Sequence, residues 1–203
     1  MQDIHRFIPA SQLTDLPSLD GHPSTRTIVT SPDDESSQPL WCAQMLRLDA
    51  SGLVAGQEGM DCIGVLTSGG PLLLIRTASG NETTVASGGR LYFAGETQFQ
   101  AASPDGPTEW FQLMLARKQA HGCVDVRRGD QALPLRPGET LLHCVQGQFR
   151  AELPAHLGGH QTLAAGDTVH LTLDYVPFFR LNLLALTPDA RLVDARVNQY
   201  PTA

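Results

Sequence analysis

Long apolar runs are missing from this 203-residue chain. None approaches the roughly 20 residues that a membrane-spanning helix requires. Positive charge is scarce as well: the net charge is −7, and basic residues adjoin only at Arg117-Lys118 and Arg127-Arg128. Phosphate backbones and anionic bilayers both demand concentrated positive charge, so neither nucleic acid nor a membrane is an expected partner. The amino terminus, MQDIHRFIPA, lacks a basic start followed by an apolar stretch, so no secretory leader is expected. Cysteines Cys42, Cys62, Cys123 and Cys144 form no CxxC or other metal-like spacing. Reduced, mostly buried thiols in a cytoplasmic protein are the expectation. A GxSxG elbow, a phosphate loop and a dinucleotide fingerprint are all absent.

Turn residues, by contrast, are plentiful. Nineteen glycines and fourteen prolines divide the chain into short apolar or alternating runs, among them CIGVL, LLLI, WFQLML, TLLHCV, FRAEL, TVHLTL and FFRLNLLAL. These are strand lengths. The loops SPDGPT and RPGET carry the residues that tight bends need. One short helix is expected over Ser11–Leu16, with Ser11 as its cap. The acidic run Thr30–Gln38 reads as a solvated loop.

One frame occurs twice. TVASGGRLYF starts at Thr84 and TLAAGDTVHL at Thr162. Around each, the chain runs glycine turn, strand, loop, strand, glycine turn, strand. Many short strands with regular turns indicate a sandwich or barrel, and a double-sheeted jelly roll limits exposed edges. The expected fold is therefore all-β, two tandem jelly-roll barrels over residues 1–115 and 116–203, a bicupin. The N-terminal strands are expected to pack onto the second barrel.

Seven histidines are present, but none forms the His-x-His pair with which small cupin barrels often hold a metal. His156 and His160 flank two glycines and read as an exposed loop. No bound metal or other cofactor is expected. His170 alternates with Thr168 and Thr172 on a wholly polar face, most simply a solvent face, with a polar barrel lumen as the alternative. His143 shares a face with Leu141 and Val145, which suits either a satisfied core histidine or a ligand contact. Gln112 shares a face with Trp110 and Met114. Arg180 and Asn182 share one with Phe178 and Leu184, where Arg180 suits either a ligand carboxylate or an internal acid.

Several segments resemble the HutD/Ves family of bicupins, over roughly Leu16 to Leu173. Phe93–Arg117, FAGETQFQAASPDGPTEWFQLMLAR, is similar to the family's F-x-G-D segment, D-G turn and D-F-N-L-M motif. Phe111, Leu113 and Met114 match that motif, while Trp110 and Gln112 stand at its Asp and Asn. In the W-x-N-G-G-G-x-T-x-E signature, Gly21 and Thr25 match. Ser18 replaces the Trp, Asp20 the Asn, His22 and Pro23 two glycines, and Thr27 the Glu. Only Trp41 matches the W-R-L-S segment. In G-x-D-R, Gly59 and Asp61 match and Cys62 replaces the Arg. LPLRPGETLLHCVQGQ resembles the family's second repeat.

The resemblance implies a cytoplasmic, metal-free protein that binds a small carboxylate, linked to histidine utilisation as in HutD proteins or to stress and cold as in Ves proteins. Asp20, Thr25, Asp61, Trp110, Gln112 and His143 are the expected ligand-binding residues, and no catalytic residue is assigned. Two alternatives stay open. One is a metal-dependent cupin isomerase or dioxygenase using His143 and loop histidines. The other is an interaction module with empty barrels, a homodimer joined through apolar outer faces such as FRAEL.

Overall fold

The structure, a computed structural model, describes residues 4–18, 22–31, 39–174 and 180–200. In chain order the first strands are β1 (Ile4–Ile8), β2 (Asp15–Leu16), β3 (Ser24–Ser31), β4 (Trp41–Leu48), β5 (Ser51–Ala55) and β6 (Met60–Ser68). There follow β7 (Leu72–Arg76), β8 (Glu82–Val85), β9 (Arg90–Ala94), β10 (Gln98–Ala102), β11 (Thr108–Ala116) and β12 (Ala120–Arg128). The last are β13 (Gln131–Pro134), β14 (Gly138–Gln146), β15 (Gln148–Glu152), β16 (His160–Ala164), β17 (Thr168–Leu173), β18 (Arg180–Ala185) and β19 (Arg191–Gln199). The described helices are two 3-10 turns, Ala10–Gln12 and Ala155–Leu157. Sequence suggested a helix over Ser11–Leu16. Instead Asp15 and Leu16 pair with Arg26 and Thr25, and pairing in a sheet wins over a lone helical turn. Most of the acidic run lies outside the described residues.

Contacts divide the chain into two units. The first comprises residues 14–121. Its sheets have the orders β2-β3-β4-β11-β6-β9 and β5-β10-β7-β8. The second comprises residues 4–13 and 122–200, with the orders β1-β17-β14-β19-β12 and β13-β18-β15-β16. Both units contain the same eight-stranded scaffold. Adding eight to each label in β4-β11-β6-β9 and β5-β10-β7-β8 yields the corresponding sheets of the second unit.

The repeated decapeptides span equivalent hairpins. Thr84–Phe93 covers the end of β8, a turn at Gly88 and the start of β9; Thr162–Leu171 does the same for β16, Gly166 and β17. Gly88 and Gly166 have φ of 79° and 90°, a left-handed conformation that glycine adopts without Cβ strain. Gly88 N–H donates to Leu66 O at 2.7 Å, and Gly166 N–H donates to Cys144 O at 2.7 Å. Leu66 and Cys144 are therefore equivalent positions.

In each unit both sheets feed one core. The first unit's core joins Leu46, Cys62, Leu66 and Met114 of the larger sheet to Val54, Leu74 and Phe99 of the smaller. The second's joins Leu142, Cys144, Val169 and Leu192 to Phe149, Leu163 and Leu183. The smaller sheets alternate cleanly: in QFRAE, Phe149 and Ala151 face the core. FRAEL thus spends its apolar side chains inside and offers no apolar outer face. Central strands β11 and β14 are buried on both faces, which is why they read as nearly continuous apolar runs. Arg180 and Asn182 prove exposed, while Leu181 and Leu183, at the alternate positions, are fully buried. The alternation of β18 is in place, but its inward face is the leucine one.

Candidate functional site

Antiparallel register aligns three rows of side chains on the core face of the first unit's larger sheet. One row is Thr25, Leu46, Trp110 and Leu66. The next is Thr27, Gln44, Gln112 and Gly64. The third is Thr30, Cys42, Met114, Cys62 and Phe93. The middle row carries polar groups inward: Thr27 is exposed, Gln44 half-buried and Gln112 fully buried.

Gln112 is held from two sides. Its Oε1 accepts the Trp110 indole N–H at 3.2 Å, and its Nε2 donates to Ala55 O at 3.3 Å. The second bond ties the larger sheet to β5 of the smaller one. Without these partners the buried amide would cost about 1–3 kcal/mol. Gly64 makes the arrangement sterically feasible, since a Cβ there would lie 1.6 Å from the Trp110 ring.

Thr25, Trp110 and Gln112 therefore come together on one face. Two other expected ligand residues, Asp61 and His143, do not join them. Asp61 lies between Met60 and Cys62, both core-facing, so its side chain points the other way and is exposed. Its Oδ1 accepts Arg117 Nε at 2.9 Å. Arg117 also donates to Glu96 at 3.0 and 3.2 Å and to Met60 O at 3.1 Å. Asp61 is thus part of a surface clamp. Hydrogen bonds from Arg117, then from Gly59 N–H, hold the Glu96 carboxyl down at about 2. His143 belongs to the second unit and lies on the face opposite Leu142 and Cys144, away from that unit's core. It is buried, and its Nδ1 is 2.8 Å from Thr168 Oγ1. Asp20 lies outside the described residues.

The polar face of His170 is not a solvent face. Thr168 is fully buried, and Glu139 Oε2 sits 2.7 Å from His170 Nε2 while accepting the Thr172 hydroxyl at 2.7 Å. The thiols are unsuited to nucleophilic work at neutral pH. Burial pushes Cys62 up to about 12 and Cys144 up to about 11, and raises Cys42 also. Cys123 is exposed, and all four are free. Among the described residues, no group of three His, Cys, Asp or Glu side chains could hold a metal ion.

A second polar cluster lies on the core face of the second unit. Gln112 pairs with Gly64, and Asp194 with Leu142; the hairpin clamps make Gly64 equivalent to Leu142. Asp194 thus occupies the position of Gln112. It is 1% exposed and accepts four hydrogen bonds from two guanidinium groups. Arg127 supplies Nε at 3.2 Å and Nη2 at 2.9 Å, and Arg196 supplies Nε at 3.1 Å and Nη2 at 3.0 Å. Arg127 Nη2 also reaches Asp125 at 2.8 Å. Sequence reasoning missed this cluster. A signal was present: VDVR at 124–127 and VDAR at 193–196 put Asp-x-Arg on one face of each of two strands.

The HutD family model matches residues 13–185. The chain belongs to the HutD family. HutD of Pseudomonas fluorescens has a similar structure, with a TM-score of 0.80 at 15% identity, covering 98% of this chain and 100% of that one. A conserved protein of unknown function from Pseudomonas aeruginosa aligns with a TM-score of 0.82 at 20% identity, covering 96% and 99%. An oxalate decarboxylase of Lactobacillus farciminis aligns with a TM-score of 0.61 at 10% identity, covering 97% and 86%. At these identities the likeness is one of fold, and the fold is cupin-like. No curated protein matches the sequence. No described helix of this HutD-family chain is long and apolar enough to cross a membrane.

Proposed function

We propose that this HutD-family chain is a bicupin, two jelly rolls in tandem, that binds a small organic acid without transforming it. Its setting is the cytoplasm, in histidine utilisation or a stress response. The eight-stranded scaffold occurring twice supports the two-barrel reading. The observation that carries the binding reading is Gln112, fully buried on a core face and aligned with Gln44 and Thr27 in a row that runs out to solvent. Thr25 adds a hydroxyl in the neighbouring row, and Trp110, Leu46 and Met114 supply apolar wall. A largely apolar surface with a few convergent polar groups suits a small molecule. Raised thiols argue for binding over covalent chemistry. The acid class draws on fold relatives too: HutD of P. fluorescens was determined in a formate condition, and the L. farciminis decarboxylase as a formate complex.

A ligand that binds only the native state raises the melting temperature by mass action. Urocanate, formylglutamate, glutamate and formate are the probes. The expected result is a rise with one of them in the native chain that is lost in Gln112→Leu. Failure of all four at millimolar concentration overturns the histidine-pathway version. A rise unaffected by Gln112→Leu moves the site elsewhere.

A further inference from the structure

Asp194 orients two guanidinium groups, and their donors exceed what it uses. A guanidinium carries five N–H groups in a rigid fork. Arg196 turns its Nε and one Nη2 hydrogen toward Asp194. Its outer edge, Nη1 with the second Nη2 hydrogen, has no hydrogen bond among the described residues, and the side chain remains 19% exposed. That edge has the two-donor geometry that a carboxylate matches. Arg127 differs, because Asp125 accepts from its Nη2 and offsets its charge. Arg127, Arg196, Asp194 and Asp125 are together formally neutral, and Asp125 pairs with Arg127 while Arg196 pairs with Asp194 alone.

An independent observation points to the same spot. Thr140 is the register partner of Arg196 on the same core face. It is buried, and its hydroxyl stands on the face that Arg196 shares. A threonine hydroxyl carries one donor and two acceptor lone pairs, so it can donate to a ligand oxygen held by Arg196.

We propose that the second unit holds a small-carboxylate site of its own. Arg196 and Thr140 contact the ligand, and Asp194 and Arg127 are positioning residues. The ligand class rests on the function proposed above, but the residues lie in the other unit, so the two fail separately. One buried carboxylate presents Arg196 in a fixed orientation, which lowers the entropy lost on binding. Asp125 disfavours a second negative charge, so the site takes monocarboxylates before dicarboxylates.

Acetate is the probe, titrated into the full ¹⁵N-labelled chain with the Nε–Hε resonances of Arg196 and Arg127 as readout, Arg127 alone serving in Arg196→Lys, and sodium chloride as control. A saturable shift is expected with a dissociation constant of about 1 mM, the range open to so small a ligand. Arg196→Lys keeps the charge that Asp194 needs but loses the fork, and weakens acetate by about tenfold. Thr140→Val keeps the shape and weakens it by about threefold to tenfold. Gln112→Leu leaves it unchanged. Shifts matched by chloride, or Arg196→Lys and Thr140→Val titrating like the parent, overturn the inference. Acetate binding lost in Gln112→Leu but kept in Arg196→Lys overturns it too, and leaves the first unit's site standing.

Discussion

Gln112 and Asp194 hold the same register position in two units of the same strand order, yet one is a neutral amide and the other a buried carboxylate. The amide needs only an indole N–H and a backbone carbonyl. The carboxylate needs two guanidinium groups. Burying a charge costs far more than burying an amide, so the surroundings of Asp194 had to change with it. On the core face of β12, Asp125 and Arg127 stand beside it. Strand order thus fixes where an interior polar group sits, while the neighbouring edge strand decides which group can be tolerated there. In the first unit the same edge is extended by β3 and its threonines.

Removing each group breaks this comparison most directly. Asp194→Ala leaves two guanidinium groups without their buried anion, and a loss of about 3–5 kcal/mol is expected. Gln112→Leu leaves the Trp110 N–H and Ala55 O unpaired, and about 1–3 kcal/mol is expected. Urea unfolding of both variants tests the order. Equal losses would mean that the charge cluster is effectively hydrated, and the contrast between the interiors would disappear.

The partners across the strand sharpen it. Gly64→Ala forces a Cβ into the Trp110 ring, an overpacking cost of about 1–3 kcal/mol. Leu142→Ala, at the equivalent position, opens a cavity instead and costs about 2–5 kcal/mol. Restoring stability to Gly64→Ala by shrinking Trp110 to Leu would tie the glycine to the indole. Failure of that rescue would put the strain elsewhere.

Much of this framework is legible in the chain. The paired decapeptides mark equivalent hairpins because a left-handed turn needs its glycine wherever it recurs. Gln112 stands out because an amide interrupts an apolar run. The charge cluster is harder to read. VDVR and VDAR matter only once β12 lies beside β19, and that pairing joins segments almost 70 residues apart. Asp61 misleads for a related reason. A motif match says nothing about which face of β6 a residue takes, and alternation from Cys62 turns it outward. His143 misleads because β14 is buried on both faces, so an apolar neighbourhood does not identify the core side.

Acid distinguishes the units by window, with smaller effects. Arg117 and Gly59 hold Glu96 at about 2, below its ordinary value of 4.5. A depressed carboxylate contributes stability that is complete above the unfolded value and is lost as pH falls from about 4.5 through 2. In the second unit, burial lowers His5 from 6.5. Its Nε2 is buried without a hydrogen-bond partner among the described residues, on the row that leads through Leu171 to Thr140. The unfolded chain binds this proton more readily, so the contribution is complete above 6.5 and declines as pH drops below it. His5→Phe is expected to flatten the stability profile just below pH 6.5 and leave the region under pH 4.5 unchanged. Glu96→Gln is expected to do the reverse. Unfolding midpoints measured from pH 7 to pH 3 decide between these outcomes. Both variants altering the same window would show that the two units do not respond to acid separately.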